Sequence, residues 1–290
     1  PDVMLAETLR FMEENRNRPM FIFFSTNLPH GPVDIPPEEN TYAGSPAIRQ
    51  AYGNASGTNR ECSGAAEEYA SMVDKLDRQV GAIVDQVRKL GLDKRTIIIF
   101  SSDNGHELYY RTDKGRGRGP DCHGGVLDGT GELLDVFRGS RGRVGPNNAM
   151  ANLAGLKWTS HEGGIRVPLI ISWPGTLPHG KVCHSLVANY DHMASFADLA
   201  GIRMPEGKDA VSYMDILSGN SARQRDYVVV DHTVITGDGW KLTQKQNKPF
   251  LFHIGRDPEE RNNLAGTRKD QLEKLRAIYR KEVGSPRKDR

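Results

Sequence analysis

Three places in the sequence carry side chains suited to chemistry. Asp103 and Asn104 follow directly on the apolar run Thr96–Phe100 and offer a carboxylate beside a carboxamide. Such hard oxygen donors suit Ca²⁺ or Mg²⁺ better than zinc or copper, which favour imidazole and thiolate. His30 stands in Pro29-His30-Gly31-Pro32, a proline-restricted loop that fixes its direction. Lys157 lies five residues before Glu162-Gly163-Gly164-Ile165-Arg166-Val167-Pro168 and supplies a compact positive charge. Each also has a plainer reading. Asp-Asn-Gly after a strand is a common turn, His30 could be an ordinary surface histidine, and most lysines are solvated. The glycine pair permits close backbone approach, and Glu162 with Arg166 could be an ion pair tying that turn down.

These groups must be held by regular elements. Leu5, Leu9 and Met12 recur at helical spacing, and the run Met20–Phe24 reads as a short apolar strand buried on both faces. Met72, Val73, Leu76, Val80, Ile83, Val84, Val87 and Leu90 form one helical stripe, with Gly91 where a C-terminal glycine belongs. Thr96–Phe100 and Val167–Trp173 are further buried strands, and a helix spans about Val187 to Ala200, ending at Gly201. This alternation predicts a parallel sheet covered by helices. Asp103-Asn104 and His30 then lie beyond the carboxyl ends of strands, where open α/β sheets bind ligands. Short strands at Tyr227–Val230, Trp240–Thr243 and Phe250–Ile254, with a helix over Lys269–Val283, predict a small antiparallel α+β subdomain from about 205 onward.

Composition narrows the classes. With 290 residues and a net charge of +2, the chain gives no electrostatic reason to expect nucleic acid or an anionic membrane as partner. No apolar run approaches the roughly 20 residues that span a bilayer, and the start has no signal-peptide pattern. Cys62, Cys122 and Cys183 lack CxxC spacing and read as unpaired thiols. Opening at Pro1 directly into a helix suggests a fragment or a processed piece.

Taken together, the ordered motifs resemble the second half of the sulfatase family. They are Pro29-His30-x-Pro32, Tyr69-x-x-Met72-Val73-x-x-Leu76-Asp77, Ser102-Asp103-Asn104-Gly105, Lys157 with Glu162-Gly163-Gly164-x-Arg166-Val167-Pro168, Trp173-Pro174-Gly175, and Leu251-Phe252-x-x-x-x-Asp257-Pro258-x-Glu260-x-Asn262-Asn263-Leu264. The resemblance implies an alkaline-phosphatase-like α/β fold lacking the N-terminal part of its sheet. Residues 1–204 would belong to the catalytic domain, with an insertion at about 107–156, and 205–290 to the antiparallel subdomain. It implies that Asp103 and Asn104 are two of four side-chain ligands of a Ca²⁺ ion, and that His30 and Lys157 are catalytic, meeting the sulfate or its leaving oxygen. It also implies a periplasmic or secreted location.

The departure from the family pattern concerns the nucleophile. Sulfatases oxidise the Cys or Ser of a (C/S)-x-P-x-R motif to formylglycine, and none of the three cysteines has that context. The expected partner is therefore a missing N-terminal half of the same enzyme, and the chain alone should not turn over. His106-Glu107-Leu108-Tyr109-Tyr110 and the segment Asn148 to Lys157 look like bacterial sulfatases acting on host or algal polysaccharides. Arg111, Lys114, Arg116 and Arg118 form a basic cluster suited to a sulfated carbohydrate substrate. His106 and His161 could reach a sugar hydroxyl. Two other readings stand beside this one: a phosphoesterase of the same superfamily, though Asn104 replaces the histidine usual there, and a truncated paralogue that binds sulfated glycan without hydrolysis.

Overall fold

In a computed structural model, residues 1–30, 35–53, 60–105, 153–154, 157, 159–219, 225–245 and 248–284 are described. They fall into two compact units, one drawn from 1–100 and 169–176, the other from 101–105, 152–168 and 177–290.

Among the described residues the first unit is built on helices α1 (Asp2–Glu14), α2 (Pro46–Gly53) and the 30-residue α3 (Arg60–Lys89). Met12 of α1, Val87 of α3 and Leu92 form its buried centre, with Leu9, Met20, Ile83, Leu90 and Ile98 packed around them. Ile83, Val87 and Leu90 of the helical stripe read from the sequence thus pack with α1, whereas Val73 of the same stripe is exposed. Arg88 and Lys89 complement the negative end of the α3 dipole, and Gly91 follows at φ +64°, a conformation that costs a residue with a Cβ. Polar side chains fasten the segment before α2 to α3. Glu67, 5% exposed, accepts from the Gly44 N–H and the Arg49 Nε, each at 2.9 Å. Lys75 reaches Asp2 at 2.8 Å and Glu39 at 2.5 Å.

Strands β1 (Ile98–Ser101) and β2 (Leu169–Ser172) pair with each other. Two expectations fail here. The run Met20–Phe24 is not a buried strand: it has no ladder partner among the described residues, and Phe21 and Phe23 are 73% and 82% exposed. Nor is β2 buried, since Ile170 is 61% exposed. Burial on both faces requires paired neighbours and covering layers; among the described residues 20–24 forms no ladder, and β2 is paired with β1 but its Ile170 is left uncovered. No helix among the described residues is long and apolar enough to cross a membrane.

The second unit closes on itself. Strands β3 (Tyr227–Val230), β4 (Thr233–Thr236), β5 (Trp240–Lys245) and β6 (Lys248–His253) form an antiparallel sheet in sequence order. The register runs through Val228↔Ile235, Val234↔Leu242 and Leu242↔Leu251. Helix α7 (Lys269–Glu282) lays Leu272, Leu275 and Tyr279 on Val234, Leu242 and Leu251, and these six residues are the core. In sequence α4 (Glu162–Ile165) lies between β1 and β2, and α5 (Asp191–Leu199) and α6 (Met214–Leu217) lie between β2 and β3. Helix α5 is shorter than expected because the Asp191 carboxylate accepts the Ala188 N–H at 2.9 Å, turning the chain into the helix at 191.

Two outcomes follow from this contrast. Leu251→Ala should destabilise the second unit by about 2–5 kcal/mol, read by denaturant titration of the full chain, because Leu251 is fully buried. Replacing Phe21 and Phe23 together by serine should reduce light scattering of the concentrated full chain while leaving its helical circular dichroism intact, since both rings face solvent.

Candidate metal and substrate site

Strand β1 ends at Ser101, and the chain turns immediately through Ser102, Asp103, Asn104 and Gly105. The Ser102 hydroxyl donates to the Asn104 carbonyl at 2.9 Å, and the Asn104 N–H to the Asp103 carboxylate at 3.0 Å. The Asn104 side-chain amide donates to the Gly105 carbonyl at 2.9 Å, which leaves its Oδ1 as the donor for a cation. Asp103 is exposed. The pair therefore fits a hard cation as two oxygen donors of a larger set. No group of three or more His, Cys, Asp or Glu side chains with metal-binding spacing occurs among the described residues.

This turn is gripped on both flanks. Asn189 donates from Nδ2 to the Ser102 carbonyl at 3.0 Å, and the Gly105 N–H donates to the Gly164 carbonyl at 2.9 Å. A Cβ at Gly105 would sit on the Gly163 carbonyl oxygen, so only glycine allows this approach. The backbone of Glu162-Gly163-Gly164 thus meets the backbone beside the candidate ligands, and that contact is what the glycines make room for.

Beneath α4 lies a buried ionic cluster. Lys241 on β5 has no exposed surface, and its Nζ donates to Glu162 Oε1 at 3.1 Å and to Glu260 Oε1 at 3.0 Å. Glu260 Oε1 also accepts the Glu162 N–H at 2.7 Å, while Oε2 faces His161 Nδ1 at 3.0 Å. Arg166 approaches Glu162 at 3.8 Å, close to the ion pair anticipated from the sequence. Burial pushes the Glu260 carboxyl up, but the hydrogen bond from His161 and the charge of Lys241 outweigh it and hold the group below the usual carboxylate range.

Of the candidate residues, Asp103, Asn104, Lys157 and His161 belong to one compact unit, and His30 to the other. His30 is exposed, and its N–H closes a turn onto the Asn27 carbonyl at 2.7 Å. Lys157 is half-buried, and His161 retains 19% of its side-chain exposure. His106, the basic cluster Arg111 to Arg118, and Cys122 lie outside the described residues, while Cys183 is an exposed free thiol. Sequence reasoning overlooked Lys241, Asn189 and the role of Glu260. The available signal was Glu260 itself, which stands in the last of the ordered motifs with no chemistry attached to it.

Comparison with known proteins places this geometry. The sulfatase family profile matches residues 1–202, and that of the N-sulphoglucosamine sulphohydrolase C-terminal region matches 157–288. The chain belongs to the sulfatase family, whose members are sulfuric ester hydrolases. It is 24% identical over 315 residues to the N-acetylgalactosamine-6-sulfatase of Canis lupus familiaris, covering 95% of this chain and 50% of that protein. It is likewise 24% identical to the N-acetylgalactosamine-6-O-sulfatase of Bacteroides thetaiotaomicron, covering 91% and 47%. Among solved structures, a Bacteroides thetaiotaomicron glycosaminoglycan-metabolism protein labelled BT33336S-sulf aligns with a TM-score of 0.68 at 21% identity, over 97% of this chain and 53% of that one. BT4656 in complex with D-glucosamine-2-N,6-O-disulfate aligns at 0.64 and 16%, over 99% and 71%. The fold is therefore that of the alkaline-phosphatase-like sulfatases with a small C-terminal antiparallel sheet. The chain spans about half the length of the curated relatives it matches.

The depressed Glu260 value fixes the sign of an acid effect. Its contribution to stability is fully present above the usual carboxylate range and is lost as pH falls through the lower folded value. Acid titration of the full chain should therefore show a proton-uptake-linked loss of stability in that window, and Glu260→Gln should flatten it.

Proposed function

We propose that this chain is the C-terminal portion of an enzyme that hydrolyses sulfate esters on carbohydrates. The observation that carries the reading is the Asp103–Asn104 pair at the end of β1, held between Asn189 and Gly164. In this reading residues 1–204 belong to the catalytic domain and 205–290 to the C-terminal subdomain. Asp103 and Asn104 give two oxygen ligands to a Ca²⁺ ion, which when bound would draw negative charge from the sulfate. A sulfate ester carries no proton to lose, so the charge developing on it must be met by fixed donors. Lys157 supplies a point charge to the sulfate, and His30 protonates the leaving oxygen. His106 and His161 contact sugar hydroxyls.

The nucleophile, a formylglycine from (C/S)-x-P-x-R, and the remaining ligands come from an N-terminal half outside this chain. Exposed Phe21, Phe23 and Ile170 support that assignment, because strands of such a half would cover them. The relatives support carbohydrate as the substrate class: two are N-acetylgalactosamine sulfatases, and one solved neighbour holds a disulfated glucosamine. The reading also carries the periplasmic or secreted location expected of the resemblance.

The test is to read the coding sequence upstream of Pro1, express the extended product, and measure sulfate release from sulfated N-acetylgalactosamine and glucosamine saccharides. Hydrolysis with bound calcium is expected, and Asp103→Ala should lower kcat/KM by about 10²-fold or more. Bound zinc would favour the phosphoesterase, and saccharide binding without hydrolysis would favour a non-catalytic paralogue.

A further inference from the structure

Glu260 departs from ordinary geometry in two ways. Its side chain is fully buried, and its backbone lies at φ +48°, in the left-handed region that non-glycine residues seldom enter. Asp257 holds it there. The Asp257 carboxylate accepts the Arg261 N–H at 3.0 Å and the Asn262 N–H at 2.9 Å, while the Glu260 N–H donates to the Asp257 carbonyl at 3.0 Å. Such strain persists where the surroundings over-determine it, and it clusters at residues that serve a site.

What the strain achieves can be followed atom by atom. Glu260 Oε1 takes the N–H of Glu162, the first residue of α4. The Gly164 carbonyl of α4 takes the Gly105 N–H, with Gly105 seated against Gly163, and Gly105 is joined to Asn104. A second strap runs in parallel: the Ala154 N–H donates to the Pro258 carbonyl at 3.4 Å, and the Gly163 N–H to the Ala154 carbonyl at 2.6 Å. The 257–260 turn therefore anchors α4, and α4 bears on the Asp103–Asn104 turn. Glu260 Oε2 addresses His161 Nδ1, and a carboxylate can only accept, so Nδ1 carries a proton; whenever the ring is neutral, Nε2 is then the bare nitrogen.

We propose that Glu260 is a positioning residue with two outputs. Through Oε1 it sets α4 against Gly105 and so places the Asp103–Asn104 pair. Through Oε2 it fixes His161 as the Nδ1–H tautomer, whose Nε2 accepts a hydrogen bond from a hydroxyl of the sulfated sugar. The second output rests on the carbohydrate reading above; the first does not. Lys241 supports both by keeping the carboxylate charged and seated in the interior.

Two substitutions in the full chain separate these outputs, and both leave Lys241 and Glu162 as a one-to-one pair, so that neither strands a buried charge. Glu260→Gln keeps an acceptor for the Glu162 N–H but turns an amide donor toward His161. Exchange protection at Gly105 and Gly163 should stay within about threefold of the parent, while the ¹⁵N imidazole spectrum at mildly alkaline pH shows the proton moved from Nδ1 to Nε2. Glu260→Met removes both acceptors. Protection at Glu162, Gly163 and Gly105 should then fall about tenfold or more, with the amides of Leu242 and Leu251 in the sheet unchanged.

Unchanged protection at Gly105 in the Met variant overturns the first output, and equal loss at Leu242 and Leu251 reduces Glu260 to a general structural role, which also overturns it. An unmoved His161 tautomer in the Gln variant overturns the second. N-acetylgalactosamine-6-sulfate, added to the extended product, is the arm for the substrate reading. If both variants behave as expected but the sugar leaves the His161 Nε2 signal unshifted, the carbohydrate contact fails and the positioning role stands.

Discussion

A lysine ammonium with no exposed surface must be neutralised where it lies, because the interior offers it no water. Lys241 meets this constraint with two carboxylates that come from distant parts of the chain, Glu162 and Glu260. That single requirement joins β5, the short helix α4 and the turn after Pro258 into one assembly. Since α4 also carries the glycine pair that touches Gly105, the antiparallel sheet becomes mechanically continuous with the turn that presents Asp103 and Asn104. The antiparallel sheet is therefore tied by hydrogen bonds to the turn at 102–105 that belongs to the same compact unit.

The two units meet the demand for burial differently. In the second, every strand of the sheet has a partner and α7 covers the face carrying Val234, Leu242 and Leu251. In the first, the helices have found a core in Met12, Val87 and Leu92, but the strand-forming residues at 20–24 and 169–172 keep large apolar groups in solvent. Propensity and pattern at those positions favour a strand; 20–24 forms no ladder among the described residues, whereas 169–172 pairs with β1 and still leaves Ile170 uncovered. The same short apolar run can thus be a core strand or an exposed segment, and pairing together with a covering layer decides between them.

This explains which parts were legible in the sequence. Helices α1, α3 and α7 show a 3.6-residue period that survives whatever packs on them, and Gly91 and Gly201 mark helix ends by a positive φ that the sequence can signal through glycine alone. Strands β3, β5 and β6 stood out as short apolar or aromatic runs. Strand β4 did not, because Thr233-Val234-Ile235-Thr236 offers only two apolar residues, and its threonines are buried by pairing and by a 2.9 Å contact between Thr233 and Thr243 hydroxyls. The ordered motifs located Asp103, Asn104, Lys157 and Glu162. They could not reveal Lys241, since a lysine between Trp240 and Leu242 on a strand reads as an outward, solvated residue.

There remains the question of why charge was used where apolar contact would hold equally well. A buried ion pair is seldom the most stable solution, and well-packed hydrophobic residues often do better. What an apolar contact lacks is direction. The Glu260 carboxylate offers two oxygens with separate, defined partners, the Glu162 N–H on one and His161 on the other, and a shift of either partner loses a hydrogen bond outright rather than a fraction of contact area. A core of leucines would tolerate α4 sliding by a few tenths of an ångström; this cluster does not. At a turn whose proposed ligands, Asn104 and Asp103, sit one and two residues from Gly105, that intolerance is what the exchange of stability for direction secures.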